Sequence, residues 1–174
     1  TNQEVSVETL KEIYEIMKMG PTSANNCPAR LIFLKSSTAK ERLRKALKPN
    51  NIDKTMKAPM TAIIGYDIAF WKHAEKTFPQ SPATQQAFKD NPSGSEIAAF
   101  RNGSLQGAYF IIASRALGLD CGPMSGFDNT LVDEEFFACT TFRSNFLCNL
   151  GYADENALFQ KLPRFPFDQV CSFA

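Results

Sequence analysis

Near the start of the chain, Leu10, Ile13, Tyr14 and Met17 recur at helical spacing and would share one face. Ser6 stands where an N-cap is needed, and Gly20-Pro21 stands where such a helix must stop. A polar stretch over 21–30 then gives way to an apolar run, 31–35, that reads as a buried strand. Thr38 and Glu41 have the spacing of a capping box and predict a basic helix ending near Leu47. Residues 48–54 form a polar connection that opens a short helix, and 60–66 read as a second strand. A helix carrying Phe70 and Trp71 is expected over 67–77. Beyond it, Pro79, Pro82, Pro92 and Gly94 punctuate what reads as an irregular excursion on the substrate side.

The strongest period runs from Ser95 to Leu117, with Leu105, Ala108, Tyr109, Ile112, Ala113, Ala116 and Leu117 as its apolar stripe. Gly103, Ser104, Gly107 and Ser114 are small enough for another helix to approach. Gly118 ends this helix, and a short extended piece leads into Gly122-Pro123-Met124-Ser125-Gly126-Phe127. A helix over 133–138 and a strand over 145–151 follow. The tail 158–174, with prolines around an Arg-Phe pair, is expected to run extended along another surface, such as a partner chain. Helices and strands mixed in one short chain point to a single α+β or α/β domain spanning 1–174.

Composition narrows the function. A chain of 174 residues suits one domain, able to bury roughly 70% of its unfolded surface. Nineteen basic against 18 acidic residues leave no electrostatic footprint for nucleic acid. No run approaches the roughly 18 apolar residues of a membrane span, and residues 1–10 lack a signal-peptide plan, so a cytoplasmic protein is expected. The five cysteines are widely spaced and there is one histidine, which disfavours a metal site and a Ser–His–Asp triad and reads as free thiols. The 15 phenylalanines fit a large core or a subunit interface.

Four segments can carry chemistry: Gly20-Pro21-Thr22-Ser23-Ala24-Asn25-Asn26, Asn51-Ile52-Asp53-Lys54, the 122–127 loop and Leu162-Pro163-Arg164. The glycines at 118, 122 and 126 match neither a dinucleotide fingerprint nor a P-loop. A loop with proline and small residues can lay its backbone against a planar ligand, but its spacing alone favours an ordinary turn. No acid, base or nucleophile stands out.

Taken in order, Ile13-Tyr14-Glu15, the 20–25 loop, Pro28-Ala29-Arg30, residues 99–102, 115–120 and 122–128, Gly151-Tyr152 and Leu162-Pro163-Arg164 resemble the nitroreductase family of FMN enzymes. More narrowly they resemble its malonic semialdehyde reductase subgroup, which acts in pyrimidine breakdown. The resemblance covers essentially the whole chain. It implies an α+β fold with a mixed sheet flanked by helices, in an intertwined homodimer with two flavin sites at the interface. It also implies that Pro21, Thr22, Ser23 and Asn25 reach the flavin held mainly by the other subunit. Asn51 and Lys54 would contact the pyrimidine edge of the ring. Pro123, Met124, Ser125 and Gly126 would lie against it, with the Ser125 N–H toward N5, and Arg164 would sit near the phosphate. A lysine at the pyrimidine edge stabilises the negative charge that accompanies hydride uptake.

The cofactor would carry the chemistry, with NAD(P)H as a transient co-substrate. The expected reaction is reduction of malonic semialdehyde to 3-hydroxypropionate, with Arg30 and Arg101 as candidate partners of the carboxylate. The rivals are a broad nitro- or quinone reductase and a flavin-binding dimer without turnover. Family members carry a basic, hydroxyl-bearing phosphate-binding segment ahead of the first long helix. The sequence begins at Thr1, just after that point, so weakened FMN binding is expected.

Overall fold

The computed structural model describes residues 3–154, 156, 158 and 160–174. Four strands, β1 (Ala29–Leu34), β2 (Met60–Asp67), β3 (Asp120–Met124) and β4 (Phe142–Gly151), form one sheet in the order β1-β2-β4-β3. All three pairings are antiparallel, where the resemblance implied a mixed sheet. The described residues also form eight α-helices: α1 (Val7–Met17), α2 (Ser37–Arg44), α3 (Pro49–Lys57), α4 (Ala74–Thr77), α5 (Pro82–Asp90), α6 (Pro92–Ala116), α7 (Asn129–Phe136) and α8 (Phe167–Val170). The expected α+β class holds.

Strand alternation divides the core in two. Met60, Ala62 and Ile64 of β2 pack with Leu10, Ile13 and Met17 of α1 and Phe110 and Ala113 of α6. Ile63 faces the other way, with Leu43, Val132 and Phe137. Every residue of β2 is buried, which its central position requires. Strand β1 begins two residues earlier than expected and is half-buried, because it forms an edge of the sheet.

Several expectations are corrected. Ser36, not Thr38, caps α2: its hydroxyl accepts from Ala39 N at 3.1 Å. Asp128 caps α7 through Leu131 N and starts that helix four residues early. The excursion is helical, since Pro82 and Pro92 each occupy the first turn of a helix rather than breaking one.

The stripe assigned to α6 holds only in part: Ala113 is buried and Tyr109 and Leu117 pack against the core, but Ala108 and Ala116 are exposed. Leu105 and Ile112 are exposed, while Gly103, Gly107, Phe110 and Ala113 face the sheet. The small residues admit strands rather than a helix. A Cβ on Gly107 would lie 2.6 Å from the Phe146 ring, and one on Gly103 would lie 2.8 Å from Tyr66 Cβ. The described residues of the 158–174 tail are exposed.

Candidate functional site

Helix α6 ends at Gly118, whose φ of 83° is open to glycine. The chain reverses into β3, so Pro123 and Met124 of the expected loop lie in a strand. Beyond it, backbone bonds lace the loop to the α2–α3 connection. Gly126 O accepts from Lys48 N at 2.9 Å, and Asp128 N donates to Ala46 O at 2.8 Å. Asn51, 8% exposed on the inner face of α3, donates its Nδ2 to the same Gly126 O at 2.8 Å. Its side-chain oxygen is left for another donor. Glycine at 126 leaves room for the Asn51 amide, since a Cβ there would lie 2.3 Å from Asn51 Nδ2 and displace it or the loop.

Beneath this contact runs a polar thread that sequence reasoning missed. Thr61 Oγ1 donates to Asn149 Oδ1 at 2.8 Å, and Asn149 Nδ2 and Thr55 Oγ1 carry it on to Met124 Sδ. Buried Thr and Asn in otherwise apolar strands were the available signal.

Lys54 sits one turn beyond Asn51 on the exposed side of α3. It lines a cleft of about 410 Å³ with Lys57, Gly122, Asn149 and Tyr152. Pro123, Met124 and Ser125 line another cavity, of about 370 Å³, with Ser104, Asn145 and Phe146. Ser125 is exposed and lines one recess, while Gly122 of the same segment lines the other, which carries Lys54 and Lys57.

The 21–25 loop is built elsewhere. Ala24, Asn25 and Cys27 all have positive φ, of 49°, 46° and 39°. Three such non-glycine residues so close together store strain that its anchors must hold. Tyr109 OH donates to Pro21 O at 3.0 Å, and Ser23 N donates to Asn102 Oδ1 at 2.8 Å. Thr22 Oγ1 accepts from Cys27 N at 3.2 Å, and Asn25 Nδ2 donates to Thr77 O at 2.6 Å. These anchors belong to α6, α4 and the loop itself, whereas the Asn51–Gly126 contact belongs to α3 and the end of β3. The two segments are therefore anchored on different elements of the chain.

Two cations behave differently from expectation. Arg30 is committed: its Nη2 donates to Asp67 Oδ2 at 2.8 Å, and its Nη1 reaches Cys27 O, Pro28 O and Ala29 O. Its guanidinium also lies over the Phe142 ring. With Asp67 only 2% exposed, this is an ion pair fixing the base of the 21–27 loop rather than a free carboxylate receptor. Arg164 donates to Leu162 O and Pro163 O within its own exposed tail and is not brought to Asn51 or Gly126. Arg101 is exposed on α6, beside Asn102.

The sequence profile of the Nitroreductase family matches residues 1–152. The chain belongs to the nitroreductase family. A Ralstonia pickettii protein named as an NADH dehydrogenase/NAD(P)H nitroreductase, HadB, is 50% identical over 99% of this chain and 89% of its own length. A similarly named Cupriavidus pinatubonensis protein is 50% identical over 95% of this chain and 85% of its own. In three dimensions the chain is similar to an Exiguobacterium sibiricum nitroreductase solved in complex with FMN. That likeness has a TM-score of 0.87 at 20% identity, over 100% of this chain and 90% of the other. Within this nitroreductase chain, Asn102 and Tyr109, which tie the strained loop to α6, were not foreseen as site residues. Tyr109 lay inside the stripe read as packing, and Asn102 stood only in the 99–102 block of the family resemblance.

Proposed function

We propose that the protein is an FMN-dependent NAD(P)H oxidoreductase, acting as a homodimer on a small planar electron acceptor. The observation that carries this reading is the Asn51–Gly126 contact with Lys54 one turn away. It offers an amide oxygen and an ammonium group beside an exposed backbone edge at Ser125. That donor set fits the pyrimidine edge and the central nitrogens of an isoalloxazine. The missing side chain at Gly126 leaves the loop flat enough to lie against a ring. FMN supplies the hydride chemistry when bound. This chain's residues orient it, and Lys54, exposed in the single chain, stabilises the charge that develops at its edge once a second subunit covers the site.

Several features support a second subunit completing the site. Pro21, Thr22, Ser23 and Asn25 form a half-site of their own and would face the partner's flavin, with Arg164 near the phosphate. Helix α6 exposes Ile97, Leu105 and Ile112 on the side away from the sheet. Along the β1 edge runs a groove of about 740 Å³, lined mainly by apolar residues of α1 and β1. An exposed tail carrying Phe165, Phe167 and Phe173 has the length and character to lie in such a groove.

The names of the relatives favour a nitro acceptor. Malonic semialdehyde is the second reading, and with Arg30 tied to Asp67 it would rely on Arg101. Purified protein should show flavin absorption and oxidise NAD(P)H, and Lys54→Ala should lower the rate of flavin reduction about 10²–10³-fold. Absence of both flavin absorption and NAD(P)H oxidation with FMN in excess would refute the proposal. Relative rates with nitrobenzene, a quinone and malonic semialdehyde then choose the acceptor.

A further inference from the structure

Asn26 follows the strained loop and is 5% exposed. Both polar atoms of its carboxamide, Nδ2 and Oδ1, are buried and unpaired. An unpaired buried amide is rare and destabilising, and such a group calls for a partner. It faces a cavity under α4 and α5 walled by Phe70, Trp71, Phe78 and Phe88. The remaining lining is small or neutral-polar and carries no charged side chain. The open space is about 10 Å³, enough for one oxygen-sized group but not for a ring.

The cover is lightly held. Neither α4 nor α5 contains a buried residue. Their ties include Asn25 Nδ2 to Thr77 O, Ser95 Oγ to Phe88 O at 2.6 Å, and an edge-to-face Phe70–Phe88 pair at 4.9 Å. Segments with few buried contacts open at low free energy.

We infer that Asn26 determines acceptor specificity: its Nδ2 donates to a neutral oxygen on a planar aromatic acceptor whose ring lies among Phe70, Trp71, Phe78 and Phe88 when α4–α5 moves outward. The inference rests on the flavin reading, which puts the adjoining residues 21–25 on the cofactor. Aromatic walls favour a ring. The lack of a cation disfavours a carboxylate. The amide hydrogen bond, available only to an oxygen-bearing ring, separates such acceptors from plain hydrocarbons.

Trp71 is the only tryptophan in the chain and lines this cavity, so its fluorescence reports on it directly. The FMN-loaded protein is titrated, without NAD(P)H, with nitrobenzene, with a tetramethyl-substituted benzoquinone that spares thiols, and with benzoate. Saturable quenching by nitrobenzene or the quinone, and none by benzoate, is expected. The two arms show which oxygen is preferred. Asn26→Leu should weaken that binding about tenfold, as expected for one hydrogen bond, and raise KM for the same acceptor in parallel. Purely linear quenching of the wild-type protein overturns the inference even if Asn26→Leu does not fold. Unchanged affinity in a folded Asn26→Leu overturns it as well. Saturable quenching in a protein that oxidises no NAD(P)H would uphold the aromatic pocket while refuting the flavin reading on which the role in turnover depends.

Discussion

Replacing Gly126 by alanine puts a methyl carbon 2.3 Å from Asn51 Nδ2, well inside van der Waals contact. The φ of Gly126 lies outside the left-handed region, so the effect is steric rather than conformational. Either the loop moves or Asn51 swings away and loses its 2.8 Å bond to Gly126 O. A net hydrogen bond of about 1 kcal/mol and overpacking of about 1–3 kcal/mol give an expected loss of about 2–4 kcal/mol. That corresponds to a fall in Tm of roughly 5–15 °C for a domain of this size.

The discriminating experiment is a double-mutant cycle. Once Asn51 is alanine, the next neighbour of the added methyl is Lys48 Cβ at 3.8 Å, an ordinary contact. Gly126→Ala should then cost little in the Asn51→Ala background, giving a coupling of about 1–3 kcal/mol. Urea unfolding followed by circular dichroism measures the four stabilities. FMN titration of the same four proteins should show both single variants weakened and the double variant no weaker than Asn51→Ala. Additive stabilities, within the roughly 0.5 kcal/mol expected for independent sites, would sink the reasoning.

Other outcomes follow from the same structure. Asp67→Asn should destabilise the fold by about 2–3 kcal/mol, below the usual cost of breaking a buried pair because Arg30 is a quarter exposed, and thermal unfolding measures this. Gly20→Ala would place Cβ 2.1 Å from Tyr109 Cδ2 and push away the hydroxyl that holds Pro21 O, so proteolysis within residues 21–27 should accelerate. Burial holds the Lys40 ammonium group below its ordinary value of 10.5 while it donates to Ala58 O. Between the depressed folded value and 10.5 the unfolded chain binds more protons, so this lysine makes stability rise with pH across that window. Burial raises Tyr66, which acts in the opposite sense above 10.0. The difference between wild type and Lys40→Met isolates the lysine: the variant's relative stability should decline as pH climbs toward 10.5.

Much of the fold was legible in the residues because local chemistry agreed with the tertiary result. Ser6 caps α1, and its hydroxyl accepts from Thr9 N as the pattern required. Gly118 marks the end of α6 by its φ, and β2 shows itself as a largely apolar run interrupted by Thr61. The failures share a cause. Prolines 82 and 92 were read as breakers, although proline in a first helical turn starts a helix. In α6 Leu105 and Ile112 were placed on the inward stripe by their spacing. Close sheet packing demanded small residues there and turned Leu105 and Ile112 outward. Arg30 could not be told from a free cation by sequence, because its partner Asp67 is 37 residues away. The Asn51–Gly126 pairing was foreseen only as two segments serving one ligand. That they touch each other depended on the fold.

Asn51 and Gly126 are separated by 75 residues, and the thread beneath them joins Thr55 to Met124 across 69 and Thr61 to Asn149 across 88. Contacts of such long range close late, after the loop entropy between them has been overcome. A partly folded chain can form α1 or α6 without having any of this half-site. Whatever binds there recognises only the finished molecule, so it acts as a folding ligand: it raises the free energy of unfolding by an amount that grows with the logarithm of its concentration. Cofactor supply during synthesis would then set how much of the protein survives to work, separately from how fast each copy turns over.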